Sequence, residues 1–303
     1  MEKFNKDDDR FSESKISIFK SIESKKVYIT KGYRHFRNPE YSRFVEEIII
    51  SKSKFDADAQ TFITSAQITD TTQQLAINTL VKDLKTYNLW DKMLALYPFV
   101  GGTAFSHKFN LKDPRDVDAA YRLTFSTGWT HSSLGANPNG VNAYADTKLV
   151  PLTAFSNNNI SLGYYTRNIV SPSTEMGSAN SGFFNGVYLI VNVNNVSYNR
   201  VASNTVQTFS SIGTTPGFYY LTRITSQQFR YYRNNSLLAT ANINESGRTP
   251  NSMWIGGVNY GVSAEYGGGQ CSFSYISIGL TDAELTNLYN AVQTFQTTLS
   301  RQV

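Results

Sequence analysis

Between Tyr121 and Leu280 the acidic residues are Asp146, Glu175, Glu245 and Glu265, each isolated in sequence. Glycoside hydrolysis ordinarily needs two carboxyl groups flanking the scissile bond. On a strand, a run of the form Glu-x-Asp-x-Glu would aim such a set into one groove, because side chains alternate with period 2. No such run occurs. His35, His107 and His131 have no ligand-type spacing with one another or with Cys271. No Gly-x-Ser-x-Gly elbow is present, and Gly267-Gly268-Gly269 lacks the Lys and Ser/Thr of a phosphate loop, so it reads as a turn. Oxygens that could hold Ca2+ belong to Asp113, Asp116 and Asp146, without EF-hand spacing. The expectation is a chain that is not an enzyme. It has no catalytic residue, no metal ligand and no cofactor, with Ca2+ as the one ion to test.

The remaining chemistry is aromatic. Tyr and Phe are abundant, and Tyr231, Tyr232, Tyr260 and Tyr266 flank polar or Gly-rich stretches. Aromatic faces with nearby Asn, Asp and backbone groups suit sugars, which makes these four the candidate glycan contacts. The bland alternative is strong, since most aromatics of a β-sandwich fill its core.

Composition narrows the classes. A chain of 303 residues can bury a full core. Its net charge of +5 is spread among acids rather than gathered into a basic stripe, so no nucleic-acid partner is expected. The single cysteine, Cys271, excludes an intrachain disulfide and sits in a strand pattern, which points to a buried structural thiol. No run of about 18 apolar residues occurs, so no membrane insertion is expected. No apolar stretch follows the charged first ten residues, and no secretory signal is expected.

The elements that would position these residues are mostly strands. Ile160–Arg167, Gly186–Val193, Gly217–Ile224 and Cys271–Ile278 are rich in β-branched and aromatic residues. Asn139-Gly140 and Asn234-Asn235 are hairpin signals, because Asn and Gly tolerate positive φ. Thr281-Asp282-Ala283-Glu284 is a capping box opening a short helix through Leu285, Leu288 and Tyr289. Upstream, residues 61–98 read as a helical connector. Thr69 or Asp70 caps a helix with Leu75, Leu80, Val81 and Leu84 on one face, and a second short helix runs from about Trp90 to Leu96. Residues 1–60 read as a separate module with strands at Lys26–Thr30 and Phe44–Ile50. The aromatic, basic loop between them offers Tyr33, Arg34, Phe36 and Arg37 as candidate assembly contacts.

The order Phe229–Ala239, Met253–Gly257, Cys271–Ile278 and the Thr281 helix resembles the last third of concanavalin A-like (laminin-G-like) jelly rolls. There an Asn-Gly hairpin, an Ile-Gly-Gly strand, a final strand and a short helix follow one another; Asn235 replaces the usual Gly. The resemblance implies a mainly β jelly-roll sandwich over 99–303, with Trp254 in its core. A second resemblance lies in Tyr97–Gly102, His107–Asp116, Gly128–His131, Asn139–Thr147 and Val292–Val303. These blocks are similar to a domain of structural and fibre proteins of tailed phages infecting Bacteroidota. It implies a non-enzymatic virion protein, such as a head fibre, capsid decoration or tail fibre. Its N-terminal module would join sister subunits, as a homotrimer or dimer, or capsid or tail proteins. Its jelly roll would face outward toward host glycan. The rival expectations are a glycan-degrading depolymerase, disfavoured by the missing carboxylate pair, and a cellular glycan-binding module, disfavoured by the missing signal.

Overall fold

The computed structural model describes residues 18–21, 26–29, 55–210 and 214–303. The chain divides into two units, Met1–Phe55 and Asp56–Val303. In the first unit, β1 (Ile18–Ser21) pairs antiparallel with β2 (Lys26–Ile29), the strand expected there. The strand expected at Phe44–Ile50 and the candidate contacts Tyr33, Arg34, Phe36 and Arg37 lie outside the described residues.

The second unit opens with two helices. Asp56 caps α1 (Ala57–Ser65), accepting from the Asp58 N–H, and Asp70 caps α2 (Thr71–Thr86), accepting from the Gln73 N–H. α2 buries Ile77, Leu80, Val81 and Leu84, a stripe of i, i+3, i+4, i+7 spacing. Leu75, expected on that face, is 48% exposed, because it falls half a turn away from Leu84. The helix expected from Trp90 to Leu96 is a single 3-10 turn, Trp90–Lys92, followed by strand β3 (Met93–Tyr97). A short apolar run buried on both sides does not distinguish strand from helix by periodicity. Residues 93–97 therefore belong to the sandwich and not to a helical segment.

Two sheets form the sandwich. The first runs in the order β12 (Gln207–Ser210), β11 (Val196–Ser203), β10 (Gly186–Val193), β9 (Ser173–Ser178), β16 (Trp254–Ile255), β7 (Ala145–Asp146), β4 (Thr124–Phe125). Beside β9 lies β17 (Gly257–Asn259), which pairs with β18 (Ala264–Tyr266). The second sheet runs β15 (Ser236–Ala241), β14 (Phe229–Arg233), β13 (Gly217–Thr222), β8 (Ile160–Thr166), β19 (Cys271–Ile278), β6 (Gly135–Pro138), β5 (Trp129–Ser132), with β3 also on β19. Among the described pairings only β17–β9 is parallel. The strands expected at 160–167, 186–193, 217–224 and 271–278 recur here with ends shifted by at most two residues.

The core lies between the sheets. It takes Ala145, Met176, Leu189 and Ile255 from the first and Leu162, Tyr164, Leu221, Tyr231 and Ile276 from the second. Cys271 is buried in it, with its thiol pushed well up by desolvation. The opposite side of the second sheet lies under α3 (Asp282–Thr298). There Phe295 meets Phe273, and the Tyr165 hydroxyl bonds Gln293. The Thr281 capping box starts α3 as expected, but the helix runs to Thr298 and so exceeds the short one anticipated. α2 packs against α3 in turn.

The turns follow Asn chemistry. Asn234 and Asn235 have φ of 45° and 65° and close the β14–β15 hairpin as expected; Asn194 and Asn195, at 53° and 65°, close β10–β11 in the same way. Asn139-Gly140 is different. β6 before it belongs to the second sheet and β7 after it to the first. The Asn139 side chain accepts from the N–H groups of Val141, Asn142 and Ala143, so the segment carries the chain between sheets instead of closing a hairpin.

Candidate functional site

The sheet register places five residues in one transverse row on the first sheet. Arg200 on β11 faces Tyr188 on β10, Tyr188 faces Gly177 on β9, Gly177 faces Trp254 on β16, and Trp254 faces Asp146 on β7. Register partners share a face. Their chain neighbours Val201, Leu189, Met176, Ile255 and Ala145 all point into the core. The row therefore lies on the outer face, away from the second sheet. At the usual strand spacing it spans about 19 Å. Gly177 at its centre has φ 139°, and an added Cβ would lie 2.3 Å from Tyr188 Cβ. Only glycine fits there.

Trp254 is the half-buried centre of an aromatic group. Its ring stacks on Tyr144 at 3.7 Å with 13° between planes, and Tyr266 lies 6.5 Å away in a near-parallel setting. All three rings are partly exposed. The expectation of a core Trp254 is thus corrected: β16 alternates, and it is Ile255 that enters the core. At the near end of the row, Asp146 pairs with Lys148 at 2.9 Å. At the far end, the Arg200 guanidinium lies 5.6 Å from the Tyr188 ring. Around it gather Ile190, Val258 and Tyr260, with Phe183 edge-on to Tyr260 at 4.7 Å. Burial raises the Tyr188 and Tyr260 hydroxyls well above the usual phenol range, so both remain proton donors. Desolvation also raises the Glu265 carboxyl, against a hydrogen bond from the Tyr260 hydroxyl.

The four sequence-nominated tyrosines separate. Tyr231 lies wholly between the sheets, stacked on Phe209 at 5.7 Å, and has no free ring face for a sugar. Tyr232, the next residue of the strand, points the other way. It stacks on Tyr220 and donates its hydroxyl to Asp282 at the start of α3. Tyr260 is on the outer face of the first sheet but buried beneath Phe183. Tyr266 alone combines partial exposure with the Trp254 stack. Tyr144, Tyr188 and Arg200 escaped the sequence reading. The small–large alternation of Ala143-Tyr144-Ala145-Asp146 was the available signal for the first.

The carboxylates remain apart in their roles. Glu175 points into the core, accepting from the Val191 N–H at 2.7 Å and from the Ser173 hydroxyl, and burial raises its pKa to about 8. Glu245 lies beside Arg223. The Ca2+ candidates are each bound to cations: Asp113 to Arg115, Asp116 to Lys108 and Arg122, Asp146 to Lys148. Among the described residues no group of three or more His, Cys, Asp or Glu could hold a metal ion. The fold does bring His107 and His131 together, Nδ1 to Nδ1 at 2.9 Å, which their spacing had not suggested. Burial lowers the His107 pKa to about 3, so the pair is neutral and one ring donates to the other.

No protein-family model matches the sequence, and neither does any curated protein. Among solved structures, a Trypanosoma rangeli sialidase in complex with sialic acid is similar over 72% of this chain and 39% of its own, at 12% identity and a TM-score of 0.51. The matching region is thus about two-fifths of that sialidase. A structure of botulinum neurotoxin type C, whose cell entry is dependent upon interaction with two ganglioside molecules, matches over 69% of this chain and 53% of its own, at 13% identity and a TM-score of 0.48. Domain 4 of an arabinanase from Geobacillus stearothermophilus, in complex with arabinotriose, matches over 65% and 98% at 14% identity and a TM-score of 0.38. The sialidase likeness bears on the fold alone: the Asp56–Val303 unit is a mainly β sandwich of two sheets.

Proposed function

We propose that this unit binds a glycan without hydrolysing it, along the row from Asp146 through Trp254 to Arg200, and that the protein is a virion structural component displaying this face. The observation that carries the binding reading is Trp254. It is half-buried, stacked on Tyr144, and stands on the sheet opposite the one under α3. An indole in that setting offers a rigid apolar surface to the C–H face of a sugar ring. Asp146 and Arg200, in register with it, supply an acceptor and donors for hydroxyls. The non-catalytic part rests on the carboxylates. Glu175 is enclosed in the core, Glu265 is engaged by Tyr260, and Asp146 by Lys148. None is supported as half of an acid–base pair. The virion part rests on the resemblance of the sequence blocks between Tyr97 and Val303 to phage structural proteins.

The test is a glycan-array screen followed by titration of the best ligand. Trp254→Ala is expected to weaken binding at least tenfold, while Tyr232→Phe, on the face under α3, leaves it unchanged. Binding that survives Trp254→Ala intact would move the site elsewhere.

A further inference from the structure

Buried arginines in this sandwich obey a rule with one exception. Arg223 donates from Nε to Val201 O, from Nη1 to Thr225 O and Ser226 O, and from Nη2 to Ile243 O. Arg301 donates from Nε to Gln296 Oε1, from Nη1 to Phe99 O, and from Nη2 to Pro98 O and Ser272 O. Each satisfies every nitrogen with an acceptor. Arg200 is only 7% exposed, yet its Nε and Nη1 are buried with no hydrogen-bond partner. Among the described residues it joins no salt bridge; Glu265, the carboxylate of its neighbourhood, faces Tyr260 instead. An unpartnered N–H in the interior costs about 1–3 kcal/mol, more on a charged group. Two of the buried arginines are thus fully paired, whereas Arg200 bonds the Tyr188 hydroxyl and keeps Nε and Nη1 without an acceptor.

The position says what kind of acceptor. Arg200 stands at one end of the row, three strand spacings from Trp254, roughly 14 Å at ordinary sheet geometry. That is within the reach of an oligosaccharide whose other residue lies on the indole. The Tyr188 hydroxyl bonds the guanidinium, and Tyr260 packs beside Tyr188. The missing partner of a planar cation is a planar anion, and a carboxylate matches a guanidinium edge.

We propose that Arg200 is the carboxylate-binding point of this face, and that the glycan taken is one bearing a carboxylated sugar. The proposal rests on the reading that this face binds glycan, and extends it to a ligand class. Arg200 anchors the acid while Trp254 holds a neighbouring ring.

Calorimetric titration of the full-length protein separates the two ideas. The probes are oligosaccharides ending in glucuronate or in N-acetylneuraminate, each beside its carboxyl-reduced form. At least one acidic probe is expected to bind tenfold or more tightly than its reduced form. Arg200→Met should remove the difference between the acidic probe and its reduced form, weakening the acidic probe by the larger factor. Trp254→Ala should weaken both. Which acidic probe discriminates identifies the sugar acid. Equal affinity of acidic and reduced forms for the unaltered protein would overturn the Arg200 assignment, leave the glycan reading standing, and make water the partner of the guanidinium. Discrimination that persists in Arg200→Met would overturn it equally. Binding of neither form, together with no neutral glycan bound, would remove both readings. Should Arg200→Met not fold, the comparison in the unaltered protein and the Arg200→Lys variant, which lacks the planar fork, still decide.

Discussion

Single residues set opposed pH responses in the stability of this sandwich. Glu175 has its pKa raised to about 8 by burial, so the folded state keeps a proton that the unfolded chain releases above about 4.5. Stability from this group falls as pH rises from 4.5 to 8, by about 1.4 kcal/mol per unit. His107, lowered to about 3, works in reverse: the unfolded chain takes up a proton below about 6.5 that the folded state refuses until 3. Its contribution therefore declines as pH falls from 6.5 to 3. The two slopes oppose each other between about 4.5 and 6.5. Scans across pH are expected to show Glu175→Gln removing the loss on the alkaline side and His107→Gln removing the loss on the acid side. Aromatic truncations should separate in the same assay. Tyr231→Ala empties the core and is expected to cost about 3–5 kcal/mol, whereas half-exposed Trp254→Ala should cost about 1–2 kcal/mol.

At the scale of elements, the Asn-Asn hairpins carry the clearest expectation. Asn235 sits at φ 65°, so Asn235→Ala should cost about 1 kcal/mol in chemical denaturation, and Asn235→Gly close to nothing. This hairpin was legible in sequence because turn chemistry is local, as were the Thr281 capping box and the strands at 186–193 and 271–278. What was not legible depended on partners. The Met93–Tyr97 run is a strand because β19 pairs with it, a fact 180 residues away in the chain. Asn139-Gly140 carries a hairpin signal, but the strands flanking it go to different sheets. The same limit governed the site. Alternation says that Tyr231 and Tyr232 point to opposite faces, but not that one face is the core and the other lies under α3. The Asp146–Arg200 row draws on five strands, and no local pattern announces a set assembled by register.

For the whole molecule, two expectations follow from the proposed reading of a glycan-binding, non-hydrolytic virion component. Incubation with acidic or neutral polysaccharide should release no reducing ends. Turnover lost in Glu265→Gln or Glu245→Gln would favour a depolymerase instead. Under the virion reading proposed above, removal of Met1–Phe55, a unit separate from the sandwich, should leave a cooperatively melting β-sandwich that no longer joins particles. Normal incorporation of the shortened chain would place attachment elsewhere. The central claim is the location of the site, and amide chemical-shift mapping tests it most directly. On titrating a bound oligosaccharide into the labelled protein, the perturbed amides are expected to cluster at 144–146, 177, 188, 200, 254 and 266, on the outer face of the first sheet. Perturbations confined to the second sheet and α3, with that row unmoved, would contradict it.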